Sequence, residues 1–314
     1  MLDKEAIGFI KSSIMAGVAT LTRDLREIRQ LQSSPKNVGK FAVSSYRKAF
    51  WQIKSGLADK ISPAYAVKYP KICDVYSSGK VFRIETDSFL ITKSDPKDES
   101  MQDNAESLAP EFFVINPLSS VVNFSRSIPM FSTSVAASGQ DEHGVSQLKF
   151  GCVYDLISDT FQTSVVGNGS FINDVKVRVT SQDSLSLGFV ATSGLESFVR
   201  NNPHSLNNAL DRRRILNMKN LSLTCGGYIS MNNPELAICY VASGKVDVAI
   251  CTDVPDLLGI QAALLIAKEA GARVVDFNGH DIDIHKNDKF NTKTGIIVCN
   301  YLIKDKVVDA INAQ

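Results

Sequence analysis

The chain lacks a charge bias, a cysteine framework, a long apolar run, an internal repeat and a low-complexity tract. Lys+Arg 34 against Asp+Glu 33 over 314 residues leaves a formal net charge of +1. No global field therefore draws the protein to nucleic acid or to an anionic membrane, although a local basic patch is compatible with that balance. Direct nucleic-acid binding and a membrane partner are not expected. The six cysteines, at 73, 152, 225, 239, 251 and 299, form no CxxC and no regular framework. Cys239 in LAICYVA and Cys251 in VAICTD read as small buried hydrophobes, which fits a reduced, cytoplasmic setting. No segment reaches about 18 uninterrupted apolar residues, and the opening MLDKEAIGFIK is too acidic and interrupted for a signal peptide.

What is present is core material. A 44% hydrophobic content fills a sizeable core, in one large or two modest domains. Between residues 3 and 31, Ile7, Ile10, Ile14, Val18, Leu21, Leu25, Ile28 and Leu31 recur in steps of three and four. That spacing predicts an amphipathic helix packed on a core, with Asp3 as its cap. Residues 32–40 read as a loop and 41–61 as a second helix. VFRIETDSFLI predicts a strand or hairpin, followed by a long polar loop over 93–110. Strand patterns follow at 111–116, 131–137, 148–154, 159–166 and 175–180, with GNGSFIND as turn chemistry between two of them. Beyond 185, LGFVATS, LSLTCGG, KVDVAIC, ARVVDF and TGIIVCN read as strands. PHSLNNALDRR, PELAICYVASG, 255–271 and 301–313 read as helices. The expectation is an α/β protein: an α+β domain over 1–184 with two helices and an antiparallel sheet, and an α/β domain over 185–314.

Some clusters resemble sites but read more simply. His280-Asp-Ile-Asp-Ile-His285 would set its histidines on opposite faces of a strand, so a surface turn is expected rather than a metal site. Ser193-Gly194 follows a strand as a nucleophile elbow does, without G-x-S-x-G or an obvious base. Asp211-Arg-Arg-Arg214 suits phosphates or an acidic partner, though a solvated helix end explains it as well. Gly167-Asn-Gly169 has only a superficial likeness to a phosphate loop.

Two segments carry a more specific pattern. NFSRSIPMFSTSVA has the spacing N-F-x4-P-x-F-x2-S-[IV]-A and is followed by GCVYDLISDTFQTSVVGNGSFINDVKVRVTS. VASGKVDVAIC then precedes GIQAALLIAKEAGARVVDFNG. Together they resemble the inositol monophosphatase superfamily, firmly over about 111–181 and 241–279. The resemblance implies a layered α-β-α-β-α sandwich. It also implies carboxylates that gather Mg²⁺ ions to polarise a phosphate ester and activate a water.

Against that family's D-P-[IL]-D-G-[TS]-x-N-F, this chain writes Asn116-Pro117-Leu118-Ser119-Ser120-Val121-Val122-Asn123-Phe124. The W-D-x-A-A-G motif falls on Leu258-Gly259-Ile260-Gln261-Ala262-Ala263, and D-F-V-T-x-x-D on Lys40-Phe41-Ala42-Val43-Ser44-Ser45-Tyr46. The positions where the family gathers its metals thus hold Asn116, Leu118, Ser119 and Gly259. The family's Glu-Glu pair has no convincing match: Glu85, Asp87, Glu106 and Glu111 lie nearby but read as solvated loop or strand charges, and Asp256, Glu85 and Asp87 are the candidates for displaced acids.

Unit charges 4 Å apart interact by ~4 kcal/mol even at an effective dielectric of 20, and divalent pairs scale with the charge product. A corner without acids has nothing to offset that repulsion, so no metal, no cofactor and no catalytic residue are expected. Mg²⁺ belongs only to the alternative, a phosphomonoesterase built on displaced acids. What remains is either an anion site, with the amides of Ser119, Ser120 and Val121 at a helix start and Lys40 supplying positive charge, or a corner whose serines only cap their helix while Lys40 stays in solvent. Expected partners are a phosphorylated small molecule or a protein. The resemblance also implies a homodimer.

Overall fold

In a computed structural model the described residues are 4–31, 35–60, 66–68, 72–77, 80–85, 112–140, 143, 145–194, 209–252, 254, 257–285 and 295–313. A largely antiparallel sheet and a mixed sheet alternate with three helical layers. The N-terminal layer pairs α1 (Lys4–Leu31) with α2 (Pro35–Lys60). The first sheet runs β1-β4-β5-β6-β7-β8-β9, from β1 (Ala66–Lys68) and β4 (Phe112–Ser119) through β5 (Ser132–Gln140), β6 (Ser146–Asp155), β7 (Thr160–Val165) and β8 (Gly169–Ile172) to β9 (Val175–Val177). Within this sheet, among the described residues, only β1 and β4 pair in parallel. A separate hairpin joins β2 (Ile72–Ser77) to β3 (Lys80–Glu85).

The second sheet runs β11-β10-β12-β14-β13. Its strands are β10 (Phe189–Ser193), β11 (Gly227–Ser230), β12 (Val248–Cys251), β13 (Arg273–Asp276) and β14 (Ile296–Cys299). Pairs β10/β11 and β10/β12 are parallel; β14 is antiparallel to both neighbours. The helices here are α3 (Val121–Ser125), α4 (Ala209–Thr224), α5 (Pro234–Ala242), α6 (Gln261–Glu269) after a short 3₁₀ turn (Leu258–Ile260), and α7 (Lys304–Asn312).

Period-two alternation sorts side chains into the layers. On the first sheet Phe113, Ile115, Val135, Ala137, Phe150 and Cys152 face Ile10, Ile14, Phe50 and Ile53 of α1 and α2. Their neighbours Val114, Ala136 and Val153 face α5 and α6 instead. On the second sheet Ala191, Ala249 and Cys251 face that same middle layer, while Val190, Val248 and Ile250 face Ile215, Met218 and Leu221 of α4 and Val307 and Ile311 of α7. Helices α5 and α6 are covered by a sheet on each side, which is why LAICYVA and AALLIA are apolar all round. The layers approach closely: a Cβ on Gly151 of β6 would lie 2.6 Å from the Ala262 carbonyl on α6.

Several boundaries differ from the sequence expectation. The 32–40 loop is mostly helix, because α2 starts at Pro35, whose fixed φ and missing N–H suit a first turn. LSLTCGG is not a strand: α4 continues to Thr224, with Leu221 buried and Leu223 in solvent, so the apparent alternation is two faces of a helix. GNGSFIND contains β8 between two turns, with Gly167, Gly169, Asn173 and Asp174 all at positive φ. Strand 175–180 stops at Val177, and the helix expected over 255–271 divides into the 3₁₀ turn and α6. The 93–110 loop lies outside the described residues. Five cysteines (152, 225, 239, 251 and 299) are free thiols. Among the described residues no helix is long and apolar enough to cross a membrane.

Candidate functional site

The Asn-Pro corner lies where β4 runs into α3. Pro117 and Leu118 form an irregularity in the β4–β5 ladder, flanked by the register pairs Asn116↔Ser134 and Ser119↔Ser132. A bulge accommodates a residue without N–H inside a strand, and Thr133 Oγ1 donates 2.8 Å to the Pro117 carbonyl. Leu118 turns away into the core of α1, α2 and α3. Asn116 and Ser119 stay buried on the side of the middle layer, together with Ser132 and Ser134, which share a face with Ala136.

A carboxyl group from α5 meets these four. Asn233 caps α5, its Oδ1 accepting from the Leu236 N–H at 3.0 Å, and Pro234 opens the helix. Glu235, in the first turn, is 0% exposed. Its Oε1 accepts from Asn116 Nδ2 at 3.3 Å and from the Ser134 hydroxyl; its Oε2 accepts from Ser132 Oγ at 2.9 Å. Asn116 Nδ2 also donates 3.0 Å to the Gly259 carbonyl. Ser119 Oγ donates 3.2 Å to Asn233 Oδ1, and Asn233 Nδ2 donates 3.3 Å to Ser132 Oγ. Asn123 completes the rim, its Nδ2 donating to the carbonyls of Met130 at 2.8 Å and Met231 at 2.9 Å.

The result is a buried polar network with one carboxyl and no ion-pair partner for it among the described residues. Burial pushes the Glu235 carboxyl up to about 7, against the opposing hydrogen bonds from Ser134, Ser132 and Asn116. A metal ion does not fit this donor set. The Asn116 amide presents N–H groups, Gly259 offers no side chain, and the Glu235 oxygens are committed to three donors. Among the described residues no group of three His, Cys, Asp or Glu side chains is placed to hold one.

The other expected site residues are placed as follows. Ser120 sits in the left-handed region at φ 63°, where the family motif has glycine, and its Oγ accepts from the Asn123 N–H at 3.4 Å. Val121 is buried beside Phe124. The helix that starts there has five residues. Lys40 is exposed on α2, two residues from both Val38 and Ala42, which face the core; at 100° per residue it points the opposite way. Tyr46 packs in the same core as Leu118 and Val121.

Asp87, Glu106, Glu111 and Asp256 lie outside the described residues, and Glu85 is placed only as the backbone end of β3. His280 is exposed beside Asp276, whereas His285 accepts the Leu148 N–H on Nδ1 at 3.1 Å and is half-buried. Burial holds its pKa below the ordinary histidine value. Those two histidines serve different contacts. The amides of Gly167 and Gly169 donate to Glu269 Oε2 at 3.1 and 3.0 Å, so that turn is tied to α6.

Sequence reading missed Glu235, Ser132, Ser134 and Asn233. A glutamate after Asn-Pro reads as an ordinary solvated first-turn acid. The available signal was the run that follows: a helix apolar on every side must be buried on every side, its first turn included.

The family pattern of the inositol monophosphatases matches residues 89–314. The Nus factor SuhB of Pasteurella multocida is 36% identical over 169 residues, a match covering 53% of this chain and 57% of that protein. An inositol-1-monophosphatase of Mesorhizobium japonicum is 26% identical over 270 residues, covering 86% of this chain and 84% of the other. Among solved structures, the extragenic suppressor protein suhB of Bartonella henselae superposes with a TM-score of 0.70 at 22% identity, covering 99% of both chains. The inositol monophosphatase of Anabaena does so with a TM-score of 0.64 at 17% identity, covering 97% of this chain and 94% of its own. The layered fold and the matched pattern agree: this chain belongs to the inositol monophosphatase family.

Proposed function

We propose that this family member has lost phosphatase activity and works as a binding or scaffold protein in the cytoplasm, as a homodimer. The observation that carries the reading is the Glu235 carboxyl lodged at the Asn-Pro corner. It is gripped by Asn116, Ser132 and Ser134, while Asn116 also bridges to Gly259. Two of the positions where the family resemblance calls for acids, 116 and 259, are hydrogen-bonded to each other. The third, Ser119, is bonded to the helix cap Asn233. An ion cluster would have to displace these bonds and would meet a single carboxyl whose charged form burial opposes. A protein partner is supported by the relative that bears the name of a Nus factor.

The test is hydrolysis of inositol monophosphate, 3′-phosphoadenosine phosphate and sugar phosphates with Mg²⁺ present. No turnover above the enzyme-free rate is expected. Chelator-sensitive turnover would favour a phosphomonoesterase using displaced acids. A metal-independent rise in melting temperature with phosphate or a phospho-sugar would instead favour a sensor built on Ser119, Ser120, Val121 and Lys40.

A further inference from the structure

The Arg212-Arg213-Arg214 run follows Asp211 in the first two turns of α4, and the structure divides it. Arg214 turns inward and is buried, its Nη2 donating 2.7 Å to Asn278 Oδ1 and its Nε 3.0 Å to Asn312 Oδ1. Arg212 and Arg213 stay in solvent, as does Lys219. The inward face of α4 is complete without further apolar residues, because Ile215, Met218 and Leu221 already cover the second sheet. Yet Leu216 is 53% exposed and Leu223 is 83% exposed. At 100° per residue, Arg212, Leu216 and Leu223 fall within about 40° of one another, with Lys219 on one flank and Arg213 on the other. The two leucines are seven residues apart, about 10.5 Å along the axis, which is the repeat of a helix-packing seam. From Arg212 to Thr224 the sequence contains no Asp or Glu.

We propose that this outer face of α4 docks an acidic amphipathic helix from a partner protein, whose heptad-spaced apolar side chains cover Leu216 and Leu223 while its carboxylates meet Arg212, Arg213 and Lys219. The proposal rests on the binding-protein reading for its place in function and names the surface and chemistry of the partner. Charge decides between occupants. A second copy of α4 laid on the first would bring three cations against the same three. A phosphate backbone would satisfy the cations but leave the central leucines uncovered. An acidic helix satisfies both.

The experiment uses the full chain and a fluorescein-labelled synthetic peptide, a Glu-rich helix with leucines at heptad spacing, read by anisotropy. Saturable binding that weakens with salt is expected. The double variant Leu216→Ser/Leu223→Ser should weaken it at least about tenfold, as should Arg212→Glu/Arg213→Glu/Lys219→Glu. All these positions are exposed, and unchanged circular dichroism and melting temperature confirm that the variants fold. Several results overturn the proposal: no peptide binding, equal binding of a Lys-for-Glu peptide, or binding indifferent to the leucine variant. So does self-association that the leucine variant abolishes, which assigns the face to a second copy. Polyuridine binding lost only on charge reversal, without peptide binding, assigns it to nucleic acid. Phosphatase turnover measured on the same preparations judges the non-catalytic reading separately, since turnover with intact peptide binding leaves the docking face standing.

Discussion

The Glu235 carboxyl on α5 and the Asn116 amide on β4 meet at 3.3 Å across 119 positions of sequence. That bond joins the first sheet to the middle helical layer at a point where both groups are buried. Truncating Glu235 to alanine would leave the donors of Asn116, Ser132 and Ser134 unmatched in a dry site. The cost of breaking such a buried polar set is about 3 kcal/mol. Urea unfolding of Glu235→Ala should show that loss with an unchanged m-value, and a variant within 0.5 kcal/mol of wild type, about the scatter of a surface substitution, would refute it.

The same carboxyl makes stability depend on pH, and the direction follows from linkage. Its folded pKa, about 7, lies above the ordinary value of 4.5. Between those values the folded chain keeps a proton that the unfolded chain has released. Its contribution is therefore full below 4.5 and is lost as pH rises through about 7. At ~1.4 kcal/mol per pH unit across that window, the ceiling is about 3 kcal/mol. Glu235→Gln removes the titration, so the stability difference between wild type and this variant should shift against wild type as pH rises. Urea midpoints across the window provide the measurement, and a shift in wild type's favour would mean that the network holds the charged form.

Ser120 holds a left-handed backbone at φ 63° with a side chain attached. An L-residue there costs roughly 1–2 kcal/mol that glycine does not. Its compensating hydrogen bond from the Asn123 N–H is long, at 3.4 Å. Ser120→Gly should therefore stabilise the fold by about 1 kcal/mol, read as a higher melting temperature. If the hydroxyl matters more than the torsion, the variant melts lower.

Much of the fold was legible because it follows from local periodicity. The α1 stripe needed only steps of three and four, and Ile10, Ile14, Val18, Leu21 and Ile28 are all buried. The Asn-Pro corner and its missing acids were visible for the same reason, since a motif is a local object. Glu235 was not, because its meaning lies in β4 and β5, more than 100 residues away. Leu221 and Leu223 misled in the opposite direction. Two residues apart, they imitate a strand face, and only the packing of α4 shows one inside and one in solvent.

The contact between layers gives a test that is independent of the corner. Gly151 on β6 leaves no room for a side chain, its added Cβ falling 2.6 Å from the Ala262 carbonyl. The obstacle is backbone in a helix buried over Gln261–Ala267, so relief requires α6 to shift. Gly151→Ala should cost about 1–3 kcal/mol, the range for overpacking a rigid interior. Calorimetry that finds the variant as stable as wild type would mean that the sheet and α6 are further apart than described.

Restoring acids at the corner shows whether Glu235 stands in place of a cation cluster. Asn116→Asp alone sets a second carboxyl against the Glu235 oxygen that now accepts from the Asn116 amide. Two acids at that distance cannot both ionise, and the change should destabilise by about 2–4 kcal/mol at neutral pH. Combining Asn116→Asp with Ser119→Asp, Gly259→Asp and Glu235→Ala removes the occupant and supplies three carboxylates in its place. That chain should be unstable alone, by mutual repulsion, and should gain melting temperature on addition of Mg²⁺, while wild type is indifferent to Mg²⁺ and to chelator. A Mg²⁺ response in wild type, or none in the restored chain with Glu235 removed, would show that the corner's affinity for cations is set elsewhere than by these four side chains.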